Sequence, residues 1–148
     1  MDQLEIFSDN INEFLIKLTM GIEGFKFRGK QVGTGMFLIN YIGMNPCCTM
    51  SDVILYLDVI ASTATRRIDK LVQLDLVMRS ESEIDRRLTV LKLTSEGQKL
   101  YDSYLEKKLL GAKLIKNKFS NEEIETFLSV LNFFMETRDT LVKEEMEI

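Results

Sequence analysis

The stretch Ser62–Thr94, STATRRIDKLVQLDLVMRSESEIDRRLTVLKLT, changes its hydrophobic period part-way along. From Ser62 to Leu74 the apolar residues Ala64, Ile68, Leu71 and Leu74 fall on one face of a helix. From Leu76 to Leu93 the pattern shortens to two strand-like runs, Leu76-Val77-Met78 and Leu88-Thr89-Val90-Leu91-Lys92-Leu93. Between them lies a charged, apolar-poor tip from Ser80 to Arg87.

A helix that runs straight into a hairpin with basic residues near its tip has the outline of a winged helix. The outer face of the helix decides what it can do. Ser62 is the expected N-cap, because its hydroxyl can accept from a free N–H of the first turn. With Ile68 and Leu71 turned inward, Thr63, Thr65, Arg66, Arg67 and Lys70 turn outward. That set suits a DNA major groove. Arg pairs bidentately with guanine, Thr meets a base or a methyl, and a helix N-terminus favours phosphate. On the helix alone, an ordinary solvated face with charge pairs explains the same residues. The hairpin tips the reading toward nucleic acid.

Outward from this stretch the chain reads as helices. A short one, Ser51 to Leu57, is opened by Thr49 and Asp52 at capping-box spacing, and Asp58 to Ala61 is a turn. Before it, a helix from Gln31 or Thr34 to Ile42 carries Phe37, Leu38, Tyr41 and Ile42, with Gly43 as its stop and Asn45-Pro46 as a turn. The first helix, Asp2 to Phe25, repeats Leu4, Phe7, Ile11, Phe14, Leu18, Ile22 and Phe25 at threes and fours. Gly24 and the basic stretch Phe25–Gly33 break that pattern. After the wing, Thr94 caps a helix from Ser95 to Lys118, and Ser120 with Glu123 caps a last one carrying Ile124, Phe127, Leu131, Phe134 and Leu141. The expected chain is mainly α with a small β hairpin (α+β), in the order α-α-α-α-β-β-α-α, with a short extra strand before the recognition helix as a variant. Three long apolar stripes exceed what one small domain can bury, so a homodimer is expected.

Taken in order, the pieces resemble the MarR family of winged helix-turn-helix transcription regulators. The residues that carry the likeness are Thr49-x-Ser51-Asp52, Leu57-Asp58-Val59, Ser62-Thr63-Ala64-Thr65-Arg66, Leu74-Asp75-Leu76-Val77, Asp85-Arg86-Arg87 and Leu93-Thr94-Ser95-Glu96-Gly97. Asp85, Arg87 and Leu93-Thr94 reproduce the spacing of the family's wing signature. Three positions depart from it: Asp58 and Asp75 stand where Gly is usual, and Ile54 where a small Ala is usual. Asp tolerates a left-handed turn, whereas Ile54 is expected to hold the two helices apart. The resemblance implies one MarR-like domain over 1–148. Within it, 31–97 would be the winged helix-turn-helix, and 1–27 and 98–148 the dimerisation helices of an intertwined homodimer. It implies binding to a pseudo-palindromic double-stranded DNA operator, as a repressor. In the wing it makes Arg87 the minor-groove residue beside Arg86, and Asp85 a brace pairing with a cation. A turn residue is the plainer role for Asp85. It also implies a small anionic aromatic effector in a crevice that Phe37 and Tyr41 would line, although both residues read equally as core aromatics.

Composition narrows the classes. Net charge is −4, yet residues 61–99 hold eight Lys or Arg against six Asp or Glu, a basic edge on an acidic body. The chain has no His, which removes the usual general base, the Ser-His-Asp system and the commonest metal ligand. No catalytic residues, metal or cofactor are expected. Cys47 and Cys48 are adjacent, without the spacing of a zinc site. They raise a thiol-based redox-sensing alternative. With no basic residue within fifteen positions, inert cysteines are the preferred reading. A winged-helix module that binds protein instead of DNA is the other alternative, with Leu55-Tyr56 as its exposed apolar pair. No apolar run reaches bilayer length and the N-terminus is acidic, so no membrane association and a cytoplasmic location are expected.

Overall fold

The computed structural model describes residues 2–82, 84–85 and 88–144, apart from several side chains between 4 and 19 and those beyond 137. The chain divides into two units, Met1–Ser103 and Tyr104–Ile148. The first holds α1 (Gln3–Glu23), β1 (Lys26–Phe27), β2 (Lys30–Gln31), α2 (Gly35–Met44), α3 (Met50–Leu57), α4 (Ala61–Gln73), β3 (Val77–Glu81), β4 (Thr89–Leu93) and the start of α5 (Ser95–Lys118). The second holds the rest of α5 and α6 (Asn121–Glu144).

The core of the first unit follows the expected periodicity. Leu38, Ile39 and Ile42 of α2, Val53 of α3, and Ala64, Ile68 and Leu71 of α4 are buried together with Leu76, Val77, Val90 and Leu91 of the hairpin. Strands β3 and β4 pair antiparallel from Val77–Leu93 at the base to Glu81–Thr89 near the tip. The extra strand reduces to a single bridge, Thr49 to Val90, backed by Leu91 N–H donating to the Cys48 carbonyl at 2.7 Å. It lies before α3 and pairs with β4. Ile54, expected to wedge the helices apart, is half-buried, and Val53 is the fully buried residue of α3.

Two features differ from the expected chain. Gly43 does not end α2, which runs on to Met44 with Asn45 as C-cap. Gly43 lies instead against the Tyr101 ring, where a Cβ would come within 2.7 Å. The stretch Phe25–Gly33, expected only to break the first helix, forms the β1–β2 hairpin. Arg28 (φ 49°) and Gly29 (φ 77°) make its turn, with positive φ at both central residues as a tight, twisted hairpin requires.

In the second unit Ser120 caps α6 as the spacing predicts. Its hydroxyl accepts from Glu123 N–H at 3.2 Å, while Glu123 accepts from Ser120 N–H at 2.8 Å. Leu109, Leu114, Ile115, Phe127, Phe133 and Met135 are exposed within this unit. Among the described residues no helix is long and apolar enough to cross a membrane.

Candidate nucleic-acid interface

The candidate interface is built from α3, a reversal, and α4. Thr49 and Asp52 form both halves of the capping box. Asp52 N–H donates to the Thr49 hydroxyl at 3.3 Å, and Thr49 N–H donates to the Asp52 carboxylate at 2.8 Å. The Thr49 N–H, and after it the Thr49 hydroxyl, which donates to the same carboxylate at 2.7 Å, hold the Asp52 carboxyl below its usual range. At the end of α3, Asp58 takes the left-handed conformation (φ 50°, ψ 52°) and reverses the chain.

Helix α4 starts at Ala61, and its N-cap lies two residues before the expected cap, Ser62. The Ile60 carbonyl accepts from Thr63 N–H at 3.0 Å and Ala64 N–H at 3.2 Å, which makes Ile60 the N-cap. No side chain caps it, so Ser62 is corrected from a cap to an exposed residue of the first turn. Ala64, Ile68 and Leu71 fix the inner face. Thr65, Arg66, Arg67 and Lys70 are exposed, and Thr63 is half-buried. Ser62, Arg66 and Lys70 stand one helical turn apart and form one outward row. Thr65 donates its hydroxyl hydrogen to the Ala61 carbonyl at 2.8 Å, so only its lone pairs and methyl remain for a partner.

The far end of α4 is clamped from three sides. Lys30 of β2 donates to the Leu74 carbonyl at 2.8 Å, a cation on the C-cap where the helix dipole favours it. Asp75 turns left-handed (φ 58°), and its carbonyl accepts from the Thr94 hydroxyl at 2.6 Å. Arg79 of β3 pairs with Asp69 of α4 at 2.7 Å, which ties recognition helix to wing. Lys30, Asp69 and Arg79 were not singled out from the sequence, because their partners lie on other elements.

At the wing tip Ser82 is buried, and its Oγ accepts from Ile84 N–H and Asp85 N–H, both at 3.3 Å. Ser82 N–H donates to the Leu88 carbonyl and Leu88 N–H to the Asp85 carbonyl, both at 2.9 Å. Asp85 is therefore held in the turn through its backbone. The wing cations Arg86 and Arg87 lie outside the described residues.

The remaining candidates sit away from α4 in sequence. Tyr41 stacks on Tyr56 with ring centroids 4.1 Å apart, joining α2 to α3, and burial pushes its phenol above the ordinary range. Phe37 is exposed. Cys48 is buried, and burial, helped by Asp52, pushes its thiol up to about 11. Cys47 is exposed at φ 72°. It shares a cavity of about 310 Å³ with Ile42, Pro46, Leu91 and Lys92, and neither Phe37 nor Tyr41 lines that cavity. Among the described residues no group of three or more His, Cys, Asp or Glu is placed to hold a metal ion.

Residues 35–97 match the winged helix DNA-binding domain family. The HTH-type transcriptional regulator BilQ of Clostridium symbiosum (strain WAL-14163) is 28% identical over 67 residues, 45% of this chain and 46% of that protein. The chain thus spans about half the length of that curated relative. FabT of Streptococcus pneumoniae, solved in complex with DNA, is 26% identical over 93% of this chain and 95% of its own, with a TM-score of 0.72. A solved MarR family transcription regulator superposes at TM-score 0.76 with 19% identity, over 97% of this chain and 95% of that one, a likeness of fold. The helix-turn-helix and its wing match a winged helix DNA-binding domain, and over nearly its whole length the chain resembles solved MarR family transcription regulators in fold.

Proposed function

We propose that the protein represses transcription in the cytoplasm as a homodimer on a pseudo-palindromic DNA operator. The observation that carries this reading is the outward row Ser62, Arg66 and Lys70 on a helix whose leading end has no side-chain cap. Thr63, Thr65 and Arg67 flank the row. Uncapped amides favour phosphate, and Arg and Lys favour guanine and phosphate oxygens. The ion pair from Asp69 to Arg79 fixes the wing to the same helix, so Asp85, Arg86 and Arg87 would follow α4 onto the duplex. Two such heads must stand about 34 Å apart, one turn of DNA.

Dimerisation would use residues 1–27 and 98–148. The support is exposed apolar surface: Ile16 and Met20 on α1, and Leu114, Phe127 and Phe133 beyond residue 103. In α5 and α6 a groove of about 370 Å³ is lined by Ile115, Phe119, Ile124 and Phe127. Release by a small anionic aromatic ligand, with Phe37 and Tyr41 as candidate lining, completes the reading. Such a ligand acts only if it prefers one spacing of the heads. Thiol sensing finds less support, since Cys48 holds its proton to about 11.

Selection of bound sequences from a random duplex pool tests the proposal. The expected product is an inverted repeat with half-site centres about 10 base pairs apart, bound more weakly as salt rises. Arg66→Ala should cost about 1–3 kcal/mol on that operator. Recovery of an unpaired half-site would sink the dimeric reading, and no enrichment would sink DNA recognition altogether.

A further inference from the structure

The leading end of α4 carries a side chain that makes no cap for the helix. Ile60 occupies the N-cap, where Ser, Thr, Asp or Asn would accept an amide hydrogen and stabilise the helix. Its carbonyl caps through the backbone, but its side chain caps nothing and packs little, the residue being 72% exposed. Across the reversal at Asp58, Leu55 in the last turn of α3 is 80% exposed. Single exposed apolar residues need no explanation. An isoleucine at a position where a polar side chain would help the fold, one residue from the exposed first turn of the reading helix, is a different matter. The groove that such a helix enters offers one apolar group, the C5-methyl of thymine.

Resting on the DNA-reading assignment of α4 proposed above, we infer that Ile60 is a specificity-determining residue that recognises a thymine methyl in each half-site. Helix stability is forgone at the N-cap so that this apolar surface can meet it. The polar row behind it, Ser62 and Arg66, reads hydrogen-bonding edges, and Ile60 adds a contact that those groups cannot make.

The test uses the full chain and the operator recovered by selection. Each thymine is replaced in turn by deoxyuridine, which removes one methyl and leaves every hydrogen-bonding group in place. One thymine per half-site should stand out, with binding to the parent chain weakened roughly three- to fivefold by loss of its methyl. Ile60→Ser should bind the thymine operator more weakly by a similar factor and show no difference between thymine and deoxyuridine at that position. Ile60→Val should keep most of the discrimination. Ile60→Ser should also melt at a higher temperature than the parent, because it restores a cap. A parent chain indifferent to every deoxyuridine overturns the inference, as does an Ile60→Ser variant that still discriminates at the same thymine. A lowered melting temperature, with equal losses on both duplexes, overturns it by making Ile60 structural. Failure of the parent chain to enrich any duplex removes the DNA reading first, and Ile60's role with it.

Discussion

Among the described residues two antiparallel hairpins stand out, and they are held in place by different means. The wing, β3–β4, has five paired positions and buries Val77, Val90 and Leu91. The β1–β2 hairpin has two pairs, Lys26 with Gln31 and Phe27 with Lys30, and none of these four residues is fully buried. Polar tethers hold it instead. Lys30 reaches the Leu74 carbonyl, Arg28 pairs with Glu96 at 2.5 Å, and the Gln31 side chain donates to the Glu23 carbonyl. A lone two-stranded hairpin is marginal in water, so each needs an anchor. The wing takes its anchor from apolar burial, which gives it a rigid base. The small hairpin spends its side chains on the ends of α1, α4 and α5, which makes it a link between elements rather than a packed layer.

The sharpest way to break this contrast is to attack the base of the wing. Gly97 lies so close to the Leu76 carbonyl that a Cβ would stand 1.9 Å from its oxygen and 2.9 Å from its carbon. Both are backbone atoms, and no rotamer change relieves them. Gly97→Ala should cost about 3 kcal/mol or more, read as a lowered urea midpoint at unchanged slope. A cost below about 1 kcal/mol would mean the wing's base is not rigid. At the other end of the wing, Ser82→Ala removes the acceptor shared by the Ile84 and Asp85 amides. It should cost about 1–2 kcal/mol, with faster hydrogen exchange at those two amides. Unchanged exchange there would show that the strands alone shape the tip.

The same contrast explains what the sequence could disclose. The wing was legible because a buried face leaves an apolar pattern, Leu76-Val77 against Val90-Leu91. Both capping boxes and the left-handed turns at Asp58 and Asp75 were legible because they are local. The β1–β2 hairpin was not, since Arg28 is an unusual residue for a left-handed turn position and its tethers reach residues as distant as Leu74 and Glu96. Gly43 read as a stop, because its close approach to Tyr101 depends on packing fifty-eight residues away in the chain. In the candidate site, the outward row of α4 followed from helical period. Its first residue did not, because the capping rule favours the hydroxyl of Ser62 and the chain places Ile60 there instead. Counting along the chain also hid Lys92, which lines the same cavity as Cys47 from β4.

Two gentler substitutions address the small hairpin. Gly29 has open space around it and φ 77°, so Gly29→Ala meets backbone strain with no clash. It should cost about 1 kcal/mol, well under the same exchange at Gly97, and equal costs would erase the distinction between strain and packing.

Lys30→Met is the smallest expected effect and the most direct probe of the tethers. Methionine keeps much of the apolar stem but cannot donate to the Leu74 carbonyl, so the C-cap of α4 loses a cation and a hydrogen bond. The site is exposed, where such a bond contributes about 0.5–1 kcal/mol. Lys30→Arg keeps a donor and should recover most of the loss. Because the bond joins hairpin to helix, exchange should quicken at amides in the last turn of α4 and in β2 together, while β3–β4 stays protected. Faster exchange in β2 alone would mean that the link ends at the hairpin, and that recognition helix and wing hold their geometry without it.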